Sequence, residues 1–215
     1  MDQRIAFDEP WSHRHEADLH DTLDFLNTLE YEDGFPVDHL TGYDEAIAWF
    51  TERGLLHPEV GQKALETGRD KVASSRALRR VRLVRAALRE VADAVVEARP
   101  PEPEAIENVN RALRAREVTE LVQAPDGVTV GHRHVGDPID DVLARIADPL
   151  VTELAGGHPD RFRICANDAC RWVFYDESRA GRRRWCDMAS CGNRAKAARH
   201  RARKKAETAP GAEPN

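Results

Sequence analysis

Cys165, Cys170, Cys186 and Cys191 fall within one short stretch near the C-terminus, spaced C-x4-C, fifteen residues, C-x4-C. Two close pairs joined by a short connection can wrap a tetrahedral metal, because each pair supplies two thiolates from one turn. Four thiolates fill the coordination sphere of zinc and leave no position for water or substrate, so the expected ion is structural, not catalytic. Disulfides are the competing use of paired cysteines, and a reducing compartment disfavours them. The cofactor expected is therefore one zinc ion.

The formal net charge of -6 hides an uneven distribution. Residues 161–205 hold 14 Lys and Arg against 4 Asp and Glu, while the rest of the chain holds 18 against 34. A basic end on an acidic body points to a polyanion partner for that end alone. The candidate nucleic-acid contacts are Arg179, Arg182, Arg183 and Arg184 between the cysteine pairs, and Arg194, Lys196, Arg199, Arg201, Arg203 and Lys204 after them. Arginine and lysine there would neutralise phosphates, and arginine can also read guanine edges in a major groove. A solvated charged face is the plainer reading of such a run, and the adjoining metal site tips the balance toward nucleic-acid binding.

These groups need a scaffold. Arg161 to Ile164 and Trp172 to Tyr175 alternate in polarity, so two short strands should flank the first cysteine pair, with Asn167 and Asp168 in the turn. Ala195 to Ala206 consists almost wholly of good helix formers and should be a basic helix. Its Ala195, Ala198 and Ala202 form a small-residue stripe that could lie close against the strands. A knuckle, a hairpin and a ligand at a helix start make a treble-clef or ribbon-like layout. With so few large apolar side chains, the metal should supply folding free energy on the order of 10 kcal/mol.

Upstream, apolar residues recur at helical spacing. Leu19, Leu23, Phe25, Leu26 and Leu29 mark one helix, Tyr43, Ile47 and Phe50 a second, and the segment after Pro58 a third. The longest predicted helix runs from about Ser75 to Ala98, with Leu78, Val81, Val84 or Arg85, Leu88, Val91 and Val95 on its stripe, and Pro100-Pro101 ends it. Glu102 to Arg116 restarts helically. Glu117 to Gln123 and Val128 to His134 favour β-branched residues around Ala124-Pro125-Asp126-Gly127, which predicts a β-hairpin. Pro138 to Leu154 forms the last helix of the body and stops at Gly156-Gly157.

The expected fold class is mainly α (α+β). A helical domain with a small β-hairpin spans about 1–157, the zinc module 158–206 and a disordered tail 207–215. No apolar run reaches the ~18 residues a bilayer demands, and Met1 to Asp8 is short, mixed and charged, which is unlike a signal peptide; the expected location is the cytoplasm, away from membranes.

Asn27 and Asn110, polar on otherwise apolar helices, are the candidates for an effector pocket between helices; capping or helix-stabilising hydrogen bonds are the plainer role. His13, His15 and His20 have the wrong spacing for a metalloprotease helix, and His132 with His134 lacks a third ligand. No convergent nucleophile, base and acid set is present, so the chain does not read as an enzyme.

The C-terminal third resembles the CGNR zinc-finger proteins, a group of bacterial predicted transcription regulators. Cys191-Gly192-Asn193-Arg194 is the signature itself, and the segments 172–179 and 183–188 resemble its flanks. Leu23-Asp-Phe-Leu-Asn27-Thr28-Leu29 is similar to part of the ABATE domain, the companion of that finger, described as a stress-induced transcription regulator. The resemblance implies zinc on Cys165, Cys170, Cys186 and Cys191 and DNA as the partner of the basic module. Together these readings give a transcription regulator with an effector-responsive body. A homodimer is expected only by analogy with regulators of palindromic sites. The alternative is a zinc-scaffolded adaptor for protein or RNA.

Overall fold

The computed structural model describes residues 16–208, apart from 33–34, 69, 117, 126 and 134–137. It is mainly helical, with three two-stranded antiparallel or paired ribbons among the described residues. The chain forms two compact units, Met1–Leu29 with Asp38–Asp160 and Glu30–Val37 with Arg161–Asn215. No helix among the described residues is long and apolar enough to cross a membrane.

The first unit contains α1 (Leu19–Leu26), α2 (Tyr43–Glu52), α3 (Pro58–Thr67), α4 (Lys71–Val96), α5 (Pro103–Leu113) and α6 (Pro138–Gly156). Asp18 caps α1, accepting from the Asp21 amide at 2.9 Å while Asp21 accepts from the Asp18 amide at 3.0 Å, a reciprocal capping box. The helix ends at Leu26, three residues earlier than the leucine spacing suggests, and Leu29 opens strand β1 (Leu29–Glu32) instead. At the other end of expectation, α4 begins at Lys71 because Asp70 accepts from the amides of Val72 and Ala73 and supplies a cap ahead of Ser75.

Helix α4 packs against α1, α2, α5 and α6 and so forms the axis of this unit. Around it Phe25, Leu26, Ile47, Phe50, Val81, Leu88, Leu143, Ile146 and Leu150 are almost wholly removed from solvent. Each such side chain contributes about 1.5–3 kcal/mol on burial. The predicted hairpin is present as β3 (Val118–Ala124) and β4 (Gly127–Arg133), and Gly127 takes φ 140° at the turn, a backbone that L side chains rarely adopt.

Two buried arginines break the apolar pattern. Arg145 bonds Asp141 at 3.0 Å and the Leu55 carbonyl. Arg85, only 4% exposed, sits on the stripe with Val84. Its guanidinium donates to both carboxylate oxygens of Asp38, at 2.7 and 2.8 Å, and to the Thr28 hydroxyl at 2.8 Å. Burial works to raise the Asp38 pKa, but the Arg85 hydrogen bonds and charge hold it below the usual carboxylate value.

Asn27 is buried at the C-terminus of α1, whereas Asn110 is exposed on α5. The helical register explains it: Asn108 and Val109 face inward, and Asn110 is carried round to solvent. His13, His15 and His134 lie outside the described residues.

The second unit is built from β1, β2 (Phe35–Asp38), β5 (Phe162–Ile164), β6 (Val173–Tyr175) and α7 (Asn193–Thr208), with a π-helical turn at Met188–Gly192 leading into α7. Strands β5 and β6 pair antiparallel in the register Phe162 to Tyr175 and Ile164 to Val173. Helix α7 starts two residues before the expected Ala195 and reaches two residues into the segment read as tail, while 209–215 lie outside the described residues.

Candidate metal centre

The β5–β6 hairpin delivers the first two thiols. The Cys165 amide bonds the Trp172 carbonyl at 2.8 Å, and between them Asn167 makes the knuckle, its carbonyl accepting from the amides of Cys170 and Arg171 at 2.8 and 3.0 Å. Arg171 then takes φ 54°, a left-handed conformation that reverses the chain just after the second thiol. For the second pair, Asp187 caps the π turn, accepting from Ala189 and Ser190 at 3.2 and 2.8 Å, and this turn returns the chain to Cys191.

All four sulfurs lie within 4.8 Å of one another, and none is in a disulfide. Cys170 and Cys186 are separated by 3.7 Å, Cys186 and Cys191 by 3.8 Å. A tetrahedron with Zn–S bonds of about 2.3 Å has an edge of about 3.8 Å, so the spacing fits zinc. Cys165 and Cys191 are buried, and Phe174, Trp172 and Trp185 pack around the cluster, so the thiols themselves form the centre of this unit's core.

The electrostatics call for a cation. Burial pushes the Cys170 thiol up to about 11 and Cys186 further still, with the neighbouring cysteine charges adding to the effect. Burial also opposes ionisation of Cys191, yet hydrogen bonds from the Asn167 amide and the other cysteines hold it below its ordinary value. Four anions this close are tolerable only around a divalent ion, which deprotonates its ligating thiols.

Outer groups account for the residues around Cys191. Gly192 is buried, and a Cβ there would come within 2.8 Å of the Met188 side chain. Asn193 donates to the Ala189 carbonyl at 3.0 Å, tying α7 to the preceding turn. Arg194 reaches the Cys191 sulfur at 3.9 Å, where its charge offsets that of the thiolates.

Two family models match the chain. Residues 161–204 match the CGNR zinc finger, and residues 20–157, well over half of the chain, match the ABATE family, described as a putative stress-induced transcription regulator. The chain belongs to the ABATE family. It carries one structural zinc site in a C-terminal CGNR finger, as the thiol geometry and the match together establish. No curated protein matches it.

In the CGNR finger the sequence-predicted basic residues divide into two groups. Arg179, Arg182, Arg184, Arg194, Lys196, Arg199, Arg201, Arg203 and Lys204 are exposed. Arg183 is half-buried and engaged within the finger: its guanidinium bonds the Cys186 carbonyl and stacks 5.2 Å over Phe174. It is a packing residue here. The alanine stripe is also placed differently from expectation, since Ala195 is half-buried but Ala198 and Ala202 are exposed. Helix α7 packs chiefly on the π turn and projects beyond it, because only its first turn has the metal-held loop to lie against.

Asp176, which the sequence reading did not single out, is fully buried. Its carboxylate accepts from the Ser178 amide at 3.0 Å and the Arg183 amide at 2.7 Å, closing the loop that carries Arg179 and Arg182. Arg161 grips the same loop through the carbonyls of Asp176 and Ser178, at 2.9 and 2.7 Å. Burial raises the Asp176 pKa, but the hydrogen bonds from Ser178 and Arg183 outweigh it and leave the carboxyl below its ordinary value. Its contribution to stability is therefore complete above about pH 4 and is lost as pH falls through the depressed folded value. Asp176→Ala leaves two amides without acceptors and is expected to destabilise the zinc-loaded finger by about 2–4 kcal/mol, measured by denaturant titration followed through tryptophan fluorescence. An unchanged midpoint would show that the loop is held by other means.

Proposed function

We propose that this ABATE-family chain is a transcription regulator, without catalytic activity, that binds duplex DNA through its CGNR finger, with α7 as the element that meets the DNA. The observation that carries this reading is the exposure of Arg194, Lys196, Arg199, Arg201, Arg203 and Lys204 on one helix rooted in the metal centre. Lys196, Arg199, His200 and Arg203, at positions i, i+3, i+4 and i+7, share a single exposed face of the helix. A helix of sixteen residues is about 24 Å long and fits a major groove about 12 Å wide. The exposed Arg179 and Arg182 supply further phosphate contacts from the loop that Asp176 closes.

The closed thiolate sphere supports a scaffolding role for zinc, and the acidic remainder of the chain keeps non-specific binding to the basic end. Selection from a random duplex library with the zinc-loaded full chain tests the proposal. Recovery of a shared sequence that is retained at moderate salt is expected. Absence of enrichment, or preference for a folded RNA competitor, would overturn it in favour of an RNA or protein adaptor.

A further inference from the structure

The CGNR finger borrows a piece of chain from far upstream. Residues 30–37, the arms of the β1–β2 hairpin, belong to the same compact unit as the finger, although they lie inside the stretch that matches ABATE. Trp172 is the point of attachment. Its indole N–H donates to the Glu30 carboxylate at 2.9 Å, and the neighbouring Arg171 guanidinium stands 5.9 Å over the Tyr31 ring.

Trp172 occupies a sensitive place. It follows the ligand Cys170 by two residues, its carbonyl accepts the amide of the ligand Cys165, and its side chain packs against the thiol cluster. The indole is one of the walls that separate the sulfurs from solvent. A hydrogen bond from its only donor to Glu30 fixes the orientation of that wall.

We infer that Glu30 is a positioning residue for the zinc centre, acting through Trp172, and that the β1–β2 hairpin is an outer support without which the finger holds its metal less well. Second-layer partners of metal ligands commonly set affinity and exchange rate, and here the partner comes from a segment about 140 residues away in sequence. The zinc finger is thus a composite of 30–37 and 161 onward. The inference does not depend on what the finger binds.

The test is zinc release from the full zinc-loaded chain into excess colorimetric chelator. Glu30→Ala and Trp172→Phe are each expected to release zinc about tenfold faster than the parent chain. Glu30→Gln, which keeps an acceptor oxygen, should stay close to the parent. The double variant Glu30→Ala/Trp172→Phe should release no faster than either single change, since both remove the same bond. The part of the indole emission that Trp172→Phe removes reports the wall, and that part should shift in Glu30→Ala but not in Glu30→Gln. An unchanged release rate in Glu30→Ala, or effects that multiply in the double variant, would overturn the inference; Glu30→Gln and Trp172→Phe keep the test open if Glu30→Ala does not fold.

Discussion

Replacing Cys191 with serine is expected to unfold the CGNR finger while the helical unit stays folded. Cys191 is 2% exposed, lies in the π turn that leads into α7, and accepts from both the Asn167 amide and the Arg194 guanidinium. Its loss removes one of four zinc bonds, and an uncharged hydroxyl replaces the thiolate that those two donors face. The unit around it has little apolar mass: Phe174 and the partly buried Trp172 and Trp185 surround the cysteines, and the cysteines themselves complete the core. Zinc must therefore supply most of the folding free energy, about 10 kcal/mol, which core packing of this size cannot replace. The helical unit has its own core around α4 and no cysteine, so it should melt separately. Metal analysis together with thermal melting checks this: one zinc per parent chain, none in Cys191→Ser, and one surviving helical transition. A variant that kept its zinc through chelation would show that three thiolates suffice.

Changing Lys196, Arg199 and Arg203 together to alanine should carry the second largest effect, on duplex binding. All three are exposed on one face of α7. Alanine is the best helix former, so the substitutions leave the helix intact and isolate the charge. If each cation neutralises one phosphate, the slope of log affinity against log salt should fall by about three, and affinity at moderate salt by about 10² or more. Arg183→Ala makes the contrast. That side chain bonds Cys186 and covers Phe174, so its loss should weaken the finger and change the salt slope little. The reverse pattern would place the DNA contact on the loop side of the finger.

How far each feature could be read from sequence follows from the range of the interactions behind it. The zinc site was legible because its ligands, knuckle and π turn are encoded within 27 consecutive residues by side chains that bond near neighbours. The helices of the body were legible from apolar spacing, with errors where a single side chain decided the boundary, as Asp70 does at α4. Leu29 continued the leucine period of α1 and concealed the start of β1. The hairpin that follows has strands of only four residues each, and its partners Arg171 and Trp172 stand at the other end of the chain. Arg85 could be placed on the helix stripe but not explained, because its partner Asp38 is 47 residues away. Nothing in the sequence sets Asp176 apart from the adjacent acid Glu177, and only the folded loop shows it buried with two amides aimed at it. Asn110 is exposed on α5 because one residue of helical rotation separates it from the inward-facing Val109.

The measurement that most directly tests the central claim is the affinity of the full chain for a selected duplex at two salt concentrations, with zinc bound and after chelation. The metal-built finger should bind tightly when loaded, lose affinity steeply as salt rises, and lose most of its binding when the metal is removed. Equal binding with and without zinc would contradict the account, since α7 would then meet DNA without the scaffold that the four thiolates provide.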